Sequence, residues 1–105
     1  MTFAITLSPS AQRDFYRVQA YYDTEAPEQT ERFTDEFFAV ARRVQEFPHS
    51  APTVRGAARR VNLRIFPYQI WYRVRDEAQV VEIIAVLHHR QDPSRLDVDH
   101  GDDRR

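Results

Sequence analysis

Hydrophobic and polar residues alternate at the start of the chain. Phe3, Ile5 and Leu7 fall on one side, and Thr2, Ala4 and Thr6 on the other, which predicts a half-buried strand. The period then changes. Ala11, Phe15, Val18 and Tyr22 recur at spacings of four, three and four, one face of a helix, with Tyr21 beside the stripe. Ser8-Pro9 supplies its start: serine caps an exposed N–H, and proline at the first helical position gives up no bond. Ala26-Pro27 breaks this helix and opens another, with Glu28 and Glu31 in the early turn and Arg42 and Arg43 near the end, the signs the helix dipole favours. Phe33, Phe37, Val40, Ala41 and Val44 form its apolar stripe, and Phe47-Pro48 ends it. So short a connection between two long helices predicts an antiparallel hairpin.

Residues 48–60, with Pro48, Pro52 and Gly56, read as a loop. Alternation then returns. Val61, Leu63 and Ile65 oppose Asn62, Arg64 and Phe66; after Pro67, Tyr68, Ile70, Tyr72 and Val74 oppose Gln69, Trp71, Arg73 and Arg75. Asp76-Glu77-Ala78 is polar enough for a hairpin turn, although it lacks glycine. Val80 to Leu87 is apolar on both faces except at Glu82, as in a central strand. The order is β-α-α-β-β-β. It predicts an α+β fold in which a helical hairpin packs on one face of a small, mainly antiparallel sheet. Residues 1–95 form a single domain in this reading. Residues 96–105, with four Asp in the stretch DVDHGDD, are an acidic tail expected to be disordered.

A length of 105 residues leaves no room for a second core. With no cysteine, disulfides, thiolate zinc sites and cysteine nucleophiles are excluded together. No apolar run is long enough to span a bilayer and no leader is visible, so no membrane role is expected and the cytoplasm is the expected location.

Charge is unevenly placed. Residues 47–75 hold no Asp or Glu but six Arg: Arg55, Arg59, Arg60, Arg64, Arg73 and Arg75. The segments before and after hold eight acidic residues each, against five and four Arg. Such a block suits an anionic partner, nucleic acid or an acidic protein, or else it is neutralised by acids brought near in space. By alternation, Arg60 and Arg64 share a face with Asn62, Arg59 faces the other way, and Arg73 and Arg75 share the face of Trp71. An outward Trp71 beside Phe66 would form an apolar patch suited to a protein partner; burial under the 48–60 segment is the alternative. Arg59, Arg60, Arg64, Trp71, Arg73 and Arg75 are therefore the candidate residues for binding such a partner. His88 and His89 are the only side chains suited to proton transfer near neutral pH, and being adjacent they face opposite ways. No positioned partner is visible for either, and two histidines do not hold zinc, so no metal and no cofactor is expected. Two glycines cannot form a phosphate-cradling loop.

Four stretches in order, LSPSAQRDFYRVQAYY, PEQTERFTDEFFAVARRVQEFP, IFPYQIWYRV and EIIAVLHHRQDP, give a resemblance from about Leu7 to Pro93 to the RelE/ParE superfamily of bacterial toxins from type II toxin–antitoxin pairs. The long helical hairpin and the Phe66–Tyr72 strand are more like the ParE branch. The resemblance implies a toxin neutralised by a cognate antitoxin in a hetero-oligomer. A ParE-like member would bind DNA gyrase. A RelE-like member would cut mRNA on the ribosome, and His88, His89 and Arg90 would then be its catalytic candidates. Family ribonucleases carry a basic residue after the strand-opening Tyr, where this chain has Gln69. They carry another at the end of the last strand, where it has His89, and an aromatic near Arg95, where no Tyr stands. A neutral amide does not stabilise a phosphorane as a guanidinium does, so the resemblance favours binding over cleavage.

Overall fold

The structure, a computed structural model, describes residues 2–96. Strand β1 (Ala4–Leu7) leads into helix α1 (Pro9–Glu25). A single 3-10 turn (Pro27–Gln29) separates α1 from α2 (Thr30–Glu46). Four strands follow: β2 (Thr53–Arg55), β3 (Ala58–Asn62), β4 (Tyr68–Arg75) and β5 (Val80–His88). They form one sheet in the order β1-β5-β4-β3-β2, antiparallel except where β1 runs parallel to β5. Both helices lie on one face. The expected α+β hairpin-on-sheet fold is present, with one strand more than the alternation predicts. The expected disordered acidic tail lies outside the described residues apart from Leu96.

Local chemistry explains the helices. Ser8 Oγ accepts from Ala11 N at 3.1 Å with Pro9 in the first turn. Gln19 bonds Thr34 and Thr30 bonds Asp23, pairs that step in opposite directions as antiparallel helices require. Ala11, Phe15 and Val18 from α1 and Phe33, Phe37, Ala41 and Val44 from α2 are buried, as their spacing predicts. They close over Ile70, Tyr72, Val81, Ile83 and Val86. Phe15 and Phe37 stand 4.6 Å apart, and Phe33 meets Phe66 edge-on at 5.7 Å, geometries favoured by ring quadrupoles.

Two local readings are corrected, and the expected glycine-free hairpin turn is explained. The 48–60 loop contains β2 and the first part of β3. Gly56, at φ 55°, lets the chain fold back between them, and all of β2 is exposed, so no alternation marks it. The strand read through Phe66 ends at Asn62. From there Leu63 and Phe66 turn inward while Ile65 is 66% exposed. The cause is Glu36 on α2. Its carboxylate accepts from the backbone N–H of Arg64 (2.6 Å), Ile65 (3.1 Å) and Phe66 (3.3 Å), holding the segment as a turn. In the β4–β5 turn, Gln79 takes the left-handed conformation, φ 55°, that glycine would otherwise supply.

β5 is central, as its two-sided apolarity predicts. A bulge interrupts its pairing with β4: Trp71 faces Ala85 and Tyr72 faces Ile83, so Ile84 is extra. Ile84 and Ala85 both join a second apolar cluster with Ala58 and Trp71, and Leu87 and Leu96 pack against it.

Candidate functional site

The six candidate binding residues do not form one surface. Trp71 points away from the helices, as alternation predicts, but it is 1% exposed and Phe66 lies in the other core, so the expected outward patch of the two is absent. Its indole Nε1–H donates to Gln69 Oε1 at 3.1 Å. Arg60 lies over the indole ring at 5.6 Å. Arg73 is 6% exposed, so it too departs from an open Arg face. Its Nη2 and that of Arg75 each reach Glu82 Oε1 at 3.0 Å, and the acid that offsets this part of the block comes from the neighbouring strand. Arg59 turns the other way and donates to the carbonyls of His49 (3.3 Å) and Ala51 (2.5 Å), bracing the 49–51 segment. Arg64 is exposed on the turn that Glu36 holds. Composition reads a block; the fold distributes it over four separate places.

Beside the Arg73–Glu82 pair runs a groove of about 680 Å3 along the half of β5 that β1 does not cover. β1 stops opposite Ile83. Beyond it, Asp14 Oδ2 accepts from Val86 N at 3.0 Å, standing in for a strand partner. Arg13, Arg17 and Arg73 are matched there by Asp14, Glu82 and Asp92, so the groove has no excess of either sign.

The catalytic candidates stand at the end of β5. His88 faces the helix layer and meets Tyr68 edge-on at 5.2 Å. Its Nδ1 accepts from Arg90 N at 3.1 Å, which puts the imidazole proton on Nε2. His89 is exposed, with its backbone N–H bonded to Pro67 O at 3.0 Å, and Arg90 is exposed. Among the described residues no carboxylate bonds His88 or His89, so no orienting partner for an acid or base is assembled there. No group of three residues able to hold a metal ion occurs among the described residues.

The shifted groups are three tyrosines, of which Tyr68 lies against His88. Burial pushes Tyr68 up to about 12, helped by the neighbouring Tyr22 and by the hydrogen bond between the two phenols. Burial also raises Tyr22 and Tyr72. These phenols hold their protons at neutral pH and act as hydrogen-bonding wall, not as bases. The folded state binds a proton that the unfolded chain releases from pH 10 upward. The stabilisation is therefore complete below pH 10 and is lost as the pH rises toward 12. We expect the urea midpoint to fall across that interval and the fall to be smaller in Tyr68→Phe. An identical alkaline loss in that variant would remove Tyr68 from the account.

The hairpin on a five-stranded, mostly antiparallel sheet defines the RelE/ParE-like class of toxin folds. The solved chromosomal ParDE toxin–antitoxin system from P. aeruginosa superimposes with a TM-score of 0.70 at 14% identity, over 82% of this chain and 95% of that one. A free-state mutant of E. coli toxin RelE superimposes at 0.60 and 22% identity, over 86% of each chain. The family model described as the ParE toxin of the type II toxin–antitoxin system, parDE, matches residues 5–93, and the chain belongs to that family of type II toxins. Toxin ParE2 of Mycobacterium tuberculosis is 29% identical over 100 residues, 94% of this chain and 93% of the relative.

Proposed function

We propose that this toxin arrests growth by binding DNA gyrase, with no RNA cleavage, and that a cognate antitoxin protein neutralises it in the cytoplasm within a hetero-oligomer. The observation that carries the reading is the Gln69–Trp71 pair. Where family ribonucleases carry a cation, this chain has an amide whose oxygen is already committed to the indole N–H. The strand face around it is occupied by the Trp71, Ile84 and Ala85 cluster, with Leu87 and Leu96 against it. A reacting phosphate needs preorganised cationic or N–H donors, and an apolar cluster offers none. His88 and His89 without an orienting carboxylate point the same way. Membership in the ParE family adds to this reading.

The test has two arms. Purified toxin should inhibit supercoiling by gyrase in vitro, and induced expression should arrest growth with DNA-damage signalling and intact transcripts. Co-expression of the protein encoded by the adjacent reading frame should restore growth. Transcripts cut at codon positions, with cutting abolished by His89→Ala, would instead establish the ribosome-dependent endoribonuclease.

A further inference from the structure

Helix α2 crosses the sheet obliquely. Glu36, in its N-terminal half, grips the turn after β3. Gln45, near its C-terminus, donates to Phe3 O at 2.7 Å, just ahead of the edge strand β1. A helix tied at these two points leaves one corner of the helix-facing side uncovered, next to β3 and the 50–51 segment. That corner holds a hollow of about 380 Å3, within the roughly 300–1,000 Å3 of ligand sites.

The hollow's lining combines apolar and basic side chains. Val40 and Val44 from α2, Val61 from β3 and Tyr72 from β4 line it. Arg43 and Arg64 stand at the same hollow, both exposed, one on the helix and one on the turn. No acidic residue lines it, and among the described residues neither guanidinium is in an ion pair. The groove beside Glu82 has the opposite character, with its charges already matched. One wall is fixed in advance, because Arg59 ties the carbonyls of His49 and Ala51. Preformed walls lower the ordering cost of binding. An apolar pit with a polar rim is the layout of an interface hot spot. A nucleic-acid backbone would call for a longer track of cations and no pit.

We propose that this hollow is the antitoxin's anchor point. It receives one apolar side chain from an extended acidic segment, and flanking carboxylates of that segment pair with Arg43 and Arg64. The proposal rests on the reading of this chain as a toxin neutralised by a protein antitoxin.

The probe is the full-length protein encoded by the adjacent reading frame, purified and titrated onto full-length toxin. Arg43→Ala with Arg64→Ala should weaken binding at least tenfold, chiefly through slower association, and should flatten its salt dependence. Val40→Glu puts a carboxylate at the hollow and should weaken binding at least a hundredfold, while Val40→Leu should stay within threefold of wild type. Circular dichroism and thermal melts establish that each variant is folded; the two Arg positions are exposed, so the test survives even if Val40→Glu unfolds. Tight wild-type binding that all the folded variants keep within twofold would overturn the anchor site and leave the neutralised-toxin reading standing. Absence of wild-type binding would overturn that reading, and the anchor with it. A toxin dimer that Val40→Glu dissociates, with antitoxin affinity unchanged, would assign the hollow to a second copy and also overturn the proposal.

Discussion

Trp71→Ala is expected to destabilise the toxin by about 3–5 kcal/mol, the range for truncating a large buried aromatic. Trp71 is the largest of the fully buried side chains and the centre of the smaller cluster. Its loss removes contacts with Ala58, Ile84 and Ala85, strands the Gln69 amide and takes away the ring under Arg60. A domain of this size has about 5–15 kcal/mol in all, so the variant should sit near its unfolding threshold. At roughly 4–8 °C per kcal/mol, the melting temperature should fall by on the order of 25 °C. Trp71 is the lone Trp, so wild-type unfolding can be followed by its fluorescence and both proteins by circular dichroism. A loss below about 1 kcal/mol would mean that the second cluster contributes little and that Trp71 is better regarded as a binding residue.

That expectation differs from the one the alternation suggests, and the difference shows where a sequence stops being readable. Period alone places Trp71 on the face away from the helices, correctly. It does not reveal that the β5 bulge at Ile84 and the returning chain at Leu96 cover that face, because bulges depend on pairing and not on composition. The helix stripes were legible to the residue, since Ala11, Phe15, Phe33, Phe37 and Val44 need only a 3.6 period and an apolar floor. β5 was legible for the same reason. β2 was not: Thr53, Val54 and Arg55 expose both faces, so burial leaves no mark on the sequence. The Arg block was legible as a charge and illegible as a surface. Glu82 is distant from the block's centre in sequence and adjacent in space, and its carboxylate is shared by Arg73 and Arg75. Arg43 shows the reverse. Its position near the helix end reads as a dipole charge, and only the oblique seat of α2 brings it to the hollow with Arg64.

One of the two ties that seat α2 is a carboxylate, and Glu36→Ala is expected to cost about 2 kcal/mol. The Arg64, Ile65 and Phe66 amides are three consecutive donors, a concavity that attracts an anion. Hydrogen bonds to a charged group contribute roughly 1.5–3 kcal/mol each when buried. The sum is not reached here, because the Arg64 and Ile65 amides are exposed and regain water, whereas Phe66 belongs to the core. Alanine also gains a few tenths of a kcal/mol of helix propensity over glutamate, which works against the predicted loss and makes the test conservative. Glu36→Gln should cost about half as much, since its one amide oxygen still accepts but its NH2 faces other donors. Urea unfolding measures both variants. Amide exchange at 64–66 should accelerate in both, more in the alanine variant, while exchange in β5 should change only with global stability. Losses below about 0.5 kcal/mol in both, with unchanged exchange at 64–66, would show that the turn holds itself and that another contact sets the angle of α2.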